Sequence, residues 1–160
     1  RGIETGVIDC RGYATRFPDE AQHETAEKLK AAGVELVCLA GFLRLVKRPL
    51  LDAFPQKILN IHPSLLPAFP GLESWKQALD AGVRETGCTV HFVDEGMDTG
   101  PIYISEQISL SVSTTADQLF QSLANLGVEP VLKTLYLITR GEAPTQQKNA
   151  GATIAYKLNK

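Results

Sequence analysis

The chain has 160 residues, 16 Lys and Arg against 18 Asp and Glu, a formal net charge of −2 and a sequence pI near 5.9. That length is about one domain, enough to bury a core without disulfides or metal, and the near-balanced charge provides no basic stripe to grip a phosphate backbone, so nucleic acid is not supported as a partner. No stretch approaches the roughly 20 apolar residues of a membrane span and no signal peptide opens the chain, while Cys10, Cys38 and Cys88 lack any C-x-x-C spacing; the reading is a cytoplasmic protein whose cysteines are buried small hydrophobes.

In chain order, residues Glu4 to Asp9 read as a short strand and Pro18 to Ala32 as a helix, with Pro in its first turn and Gly33 at its stop. Leu36 to Ala40 is a continuous apolar run, the pattern of a strand buried on both faces, and Gly41 ends it. Pro49 to Phe54 reads as a short helix, Lys57 to Ile61 as a strand, and Glu73 to Ala81 as a helix closed by Gly82. Thr86 to Val93 and Ile102 to Leu110 are rich in β-branched residues and flank the glycine-bearing turn Glu95 to Gly100, so they are expected to pair with each other. Thr115-x-x-Gln118 is a capping-box pattern that opens an amphipathic helix to Arg140, with a break near Gly127 and Pro130 and a stop at Gly141. Two segments follow: residues 1–141 as one folded domain and residues 142–160, mixed in Pro, Gln, Asn and Lys, as an irregular tail. The fold class is α/β, an open and mostly parallel Rossmann-like sheet with helices on both faces. In such sheets ligands sit beyond the carboxyl ends of the strands, which gathers the loops after Ala40, Ile61 and Val93.

Those loops carry the unusual residues. Leu59-Asn60-Ile61-His62-Pro63 leaves a strand for a proline-rich loop, and alternation sends the Asn60 and His62 side chains to the same face. An amide N–H and an imidazole N–H converging on a carbonyl oxygen would hold an oxyanion, a contact worth roughly 3 kcal/mol per donor, and His62 could also move a proton. Asp94-Glu95-Gly96-Met97-Asp98-Thr99-Gly100-Pro101 is a tight acidic loop, from which a carboxylate could orient the imidazole and favour its charged form. The bland alternatives are a satisfied structural histidine and a solvated turn whose Asp and Gly merely suit the backbone.

Taken together, Val37 to Leu45 (VCLAGFLRL), Leu59 to Pro67 with Pro70-Gly71, and Gly87 to Glu95 with Asp98 and Gly100-Pro101 resemble the formyltransferase family that uses 10-formyltetrahydrofolate. The match covers roughly residues 1 to 110 and lies closest to the branch that formylates glycinamide ribonucleotide in purine synthesis. The resemblance implies that Asn60, His62 and Asp98 are the catalytic trio, with the asparagine and histidine polarising the formyl group and the aspartate supporting the histidine. It implies that Leu43, Arg44, Leu45 and Val46 wrap the folate together with Val93, Asp94, Glu95, Gly96, Met97 and Asp98, with Asn60 beside them and Arg16 near the folate tail. Ile61, Pro63 and Glu129 are the matching candidates for contact with the amine substrate, and His91 is expected to be supporting or structural. The co-substrate is then 10-formyltetrahydrofolate, no metal is required, the partners are small molecules, and monomer and homodimer both stay open.

Two departures qualify the match. The family's amino-terminal strand and phosphate-cradling loop have no counterpart, so the chain reads as a piece of something longer. The last third, from Leu123 to Pro130 and again from Gly151 to Lys157, looks more like methionyl-tRNA formyltransferase. The competing readings are therefore a catalytic domain acting on methionyl-tRNA, a sugar-nucleotide amine formyltransferase, a hydrolase that passes formyl to water, and a folate-binding remnant without turnover.

Overall fold

The computed structural model describes residues 2–10, 12–13 and 16–141. The tail at 142–160 lies outside the described residues. Among those described, five helices and four strands follow one another in the order α1 (Asp19–Ala31), β1 (Val37–Leu39), α2 (Arg48–Ala53), β2 (Ile58–His62), α3 (Ser74–Asp80), β3 (Glu85–Phe92), β4 (Ile102–Ser109), α4 (Ala116–Leu126) and α5 (Val128–Thr139).

The strands form one open sheet in the order β1-β2-β3-β4. The open α/β architecture agrees with the sequence, but the sheet is mixed: only β1 and β2 run parallel, whereas β2–β3 and β3–β4 are antiparallel. The local reason is the short Asp94 to Pro101 connection, which can only reverse the chain, since a parallel return needs a crossover of a dozen residues or more. Residues 4–9 are not a strand, and most of them are exposed. β-propensity reflects fit to a packed, paired surface, and this segment has no ladder partner among the described residues.

Side-chain alternation in β2 sends its residues to two different cores. Ile58 packs with Phe17, Ala21, Ala26, Val46, Leu50 and Phe54 from α1, α2 and their flanking loops. Leu59 points the other way, into a cluster with Val90 and Tyr103 that Val131, Leu137 and Ile138 of α5 cover. Helices thus lie on both faces, as expected. Cys38, expected to be buried, is exposed, on a face of β1, the outermost of the described strands, that the described residues leave uncovered; Cys88 is buried and Cys10 half-buried.

The break between α4 and α5 falls where sequence placed it. Thr115 accepts from Gln118 N–H while the Gln118 side chain accepts from Thr115 N–H, completing the capping box of α4. Pro130, in the first turn of α5, has no N–H to continue the ladder from α4. A Cβ on Gly127 would stand 3.3 Å from Ile61 Cγ2, so the junction sits close against the sheet.

Candidate active site

Asn60 pairs with His91 across the β2–β3 ladder and His62 pairs with Thr89, which sets all four side chains on one face at the carboxyl end of β2. In the neighbouring β3–β4 ladder the register slips at this level, with Val90 opposite Ile104 and His91 opposite Ile102, so that Tyr103 of β4 is the extra residue.

The two loops that frame this edge are held from several sides. After β2, the Thr89 hydroxyl donates to Ser64 O (2.7 Å) and accepts from Leu66 N–H (3.1 Å), while the Gln77 amide donates to Pro70 O (3.0 Å) and Leu72 O (2.9 Å). Between β3 and β4, Asp94 Oδ1 accepts from Gly96 N–H (3.0 Å) and the Thr99 hydroxyl (2.7 Å), a local turn that draws the loop tight. A Cβ on Gly100 would lie 1.8 Å from Phe92 O, so only glycine permits the closure sealed by Phe92 N–H to Pro101 O (2.9 Å).

Asp98 sits where these loops meet, in the left-handed region at φ 55°, a conformation that costs energy and is often found at functional sites. Its Oδ2 accepts from Gly71 N–H (2.8 Å) and lies 3.4 Å from His62 Nδ1, while Oδ1 lies 3.6 Å from His91 Nε2. His62 Nε2 donates to Phe69 O at 2.8 Å. His91 Nδ1 donates to Phe92 O at 2.9 Å, and its Nε2 is 3.2 Å from Asn60 Nδ2. The fold therefore brings Asn60, His62, Asp98 and His91 into one connected cluster. It does not aim Asn60 and His62 at a common atom, because the Phe69 carbonyl occupies His62 Nε2.

Burial pushes the His62 pKa below the ordinary histidine value, and this outweighs the opposite pull of the Asp98 carboxylate and the Phe69 carbonyl. Asp98 does pull toward the charged imidazole, the direction read from the sequence, but desolvation outweighs it and leaves His62 neutral at pH 7. For Asp98, burial raises the pKa, but the adjoining His91 and His62 imidazoles and the Gly71 N–H together hold it below the ordinary carboxylate range. It is ionised.

A cavity of about 60 Å³ opens beside this cluster. Arg44, Leu45, Val46, Asn60, Val93, Asp94, Gly96 and Asp98, all expected at the folate, line it. Leu43, Glu95, Met97 and Arg16 do not: Leu43 and Met97 are exposed at the loop surfaces, Glu95 pairs with Arg48, and the Arg16 guanidinium stacks 5.3 Å from the Tyr13 ring. Arg44 donates to Tyr13 O (3.3 Å), and its buried Nε has no hydrogen-bond partner. Ile61 faces α4 and α5 on the other side of the sheet. Pro63 O accepts from the Ser74 hydroxyl (3.1 Å), and Glu129 is exposed in the first turn of α5. Sequence reasoning missed Leu39 and Phe42 as lining residues and Gly71 as the donor to Asp98. Phe42 and Gly71 stood inside the matching motifs, but their role depends on a loop path that no local pattern encodes.

The profile of the formyl transferase family matches residues 2–135. A phosphoribosylglycinamide formyltransferase of Bacillus subtilis (strain 168) is 47% identical over 112 residues, covering 69% of this chain and 57% of that protein. Glycinamide ribonucleotide transformylase 1 of Symbiobacterium toebii, a crystal structure, superposes with a TM-score of 0.77 at 44% identity over 80% of this chain and 60% of that one. A methionyl-tRNA formyltransferase of Bordetella petrii is 34% identical over 160 residues, 99% of this chain and 50% of that protein. The chain spans between 50% and 60% of the length of these three relatives.

Proposed function

This chain belongs to the formyl transferase family, and we propose that it carries the reaction centre for moving a formyl group from 10-formyltetrahydrofolate to the amine of glycinamide ribonucleotide in the cytoplasm. The observation that carries the reading is the cluster at the end of β2, in which ionised Asp98 touches His62, His91 and the Gly71 N–H with Asn60 alongside at the cavity wall. The acceptor follows from the relatives at 44% and 47% identity, which are named for that substrate.

In this mechanism the Asn60 amide donates to the formyl oxygen as the amine nitrogen attacks the formyl carbon, holding the negative charge of the tetrahedral intermediate. The single proton of neutral His62, on Nε2 while it donates to Phe69 O, moves to Nδ1 beside Asp98 Oδ2 when that bond is released, so that Nε2 accepts a proton from the attacking nitrogen and Asp98 stabilises the resulting imidazolium. The carbon–nitrogen bond to the folate then breaks, and the proton passes to the departing nitrogen. Attack, protonation and departure balance without a covalent enzyme intermediate. His62 Nε2 reaches the reacting atoms only by giving up its bond to Phe69 O, so the Ser64 to Gly71 loop shifts on substrate entry. The cavity is far below the roughly 300 Å³ of a ring-binding pocket, which likewise requires the Phe42 to Val46 and Asp94 to Gly96 walls to part. Within it, the unpartnered Arg44 Nε–H and the backbone of residues 93–96 supply polar edges for a pterin.

A second acceptor has one specific observation in its favour: the similarity to the methionyl-tRNA formyltransferase runs through 99% of the chain, against 69% for the Bacillus subtilis relative. The test is formyl transfer with each acceptor in turn. Product from glycinamide ribonucleotide alone supports the first reading, and product from charged initiator tRNA alone replaces it.

A further inference from the structure

An asparagine side chain is nearly symmetric, and turning it over exchanges its N–H₂ for its carbonyl oxygen with little change in shape. The proposed chemistry tolerates only one of the two poses, because an amide oxygen facing the formyl oxygen would repel the charge that the site must hold. The terminal torsion of asparagine is intrinsically broad, so the choice must come from a neighbour.

His91 makes that choice. It stands directly opposite Asn60 in the β2–β3 ladder, is 2% exposed, and has both ring nitrogens engaged. Its Nδ1 faces Phe92 O at 2.9 Å, and a carbonyl oxygen can only accept, so the ring proton resides on Nδ1. A neutral ring carrying that one proton has a lone pair on Nε2, which is 3.2 Å from Asn60 Nδ2, within hydrogen-bond reach, and 3.6 Å from Asp98 Oδ1, beyond it. Only the N–H₂ end of Asn60 can face such an acceptor; the reversed pose would press two lone pairs together in a buried site where unpaired polar groups are costly. One amide hydrogen is then held by His91, and the second is left for the cavity that Asn60 lines. The backbone of β3 thus dictates, through one imidazole, which end of Asn60 meets the substrate.

From this geometry we infer that His91 is a positioning residue for Asn60, acting on formyl transfer by fixing the amide pose without touching the reacting atoms. The inference rests on the formyl-transfer reading above but makes a separate claim, and two measurements on the 160-residue chain separate them. In nitrogen-15 NMR, His91 shows its proton on Nδ1, and one Asn60 side-chain N–H is protected from exchange. That protection is lost in His91→Leu and kept in His91→Gln, whose amide oxygen can replace Nε2 as acceptor. In turnover, His91→Leu lowers kcat about tenfold or more with little change in folate KM, since the donor is disordered and not deleted. His91→Gln recovers most of the loss. In an Asn60→Ala background the His91→Leu change costs nothing further, the signature of one residue acting through the other. An equal loss from His91→Leu with and without Asn60, or a His91 proton found on Nε2, overturns the inference. A wild-type chain that transfers formyl to no acceptor overturns the functional reading alone, and the NMR result still decides the pose of Asn60.

Discussion

His62 is held by two opposing demands. Its nitrogens face a carbonyl oxygen and a carboxylate, a setting that suits the charged ring, yet 4% exposure leaves that charge without water, and burial prevails. Neutral His62 as base means that kcat falls as pH drops through a value below the ordinary histidine range. Asp98→Asn removes the carboxylate that raises this value, so the acid limb of the kcat profile moves to still lower pH while the maximum rate drops; a limb that moves upward contradicts the assigned roles. The same groups shape stability. With its folded pKa lowered, His62 binds its proton more readily in the unfolded chain, so its contribution is present above the unfolded value of about 6.5 and is lost as pH falls below it. Asp98, also lowered, adds a second loss as pH falls further, below about 4 and through its folded value. Urea midpoints measured between pH 7 and 5 should therefore decline in the wild type, and more shallowly in His62→Ala. Asn60 and His62 were legible in the sequence as same-face neighbours because strand periodicity is local. The engagement of His62 by Phe69 O was not legible, since it depends on the path of a seven-residue loop excursion.

At the scale of elements, the site depends on a short loop whose geometry leaves no space for a side chain. Gly100→Ala places a methyl group against Phe92 O and forces the Asp94 to Pro101 turn open. Urea denaturation should show a loss of roughly 2–4 kcal/mol, and folate binding should weaken with it because Asp98 rides on that turn. By contrast, Thr115→Ala removes one half of the α4 capping box, whose bonds are to Gln118 and not to the cluster, and should cost about 1 kcal/mol with turnover intact. Helix positions were legible because their signals are local: Pro18 before α1, the Thr115 and Gln118 box, and Gly141 at φ 70° after α5. Residues 4–9 misled for the complementary reason, since β-branched content announces a strand only where a partner exists to receive it.

Across the whole molecule, the sheet places one face of β2 against α1 and α2 and the other against α5, so that the residues between Ile58 and His62 alternate between packing and chemistry. The open α/β class was readable from the order of elements, but strand direction was not, because the antiparallel return of β3 against β2 depends on how the long excursion from Pro63 to Arg84 folds back. Among the described residues, no helix is long and apolar enough to cross a membrane. The measurement that bears most directly on the central claim is formyl transfer from 10-formyltetrahydrofolate to glycinamide ribonucleotide by the wild-type chain beside Asn60→Ala and His62→Ala. The account predicts transfer by the wild type and kcat reduced about 10²- to 10³-fold in each variant, with folate binding little changed. Variants that match a catalytically active wild type would contradict it.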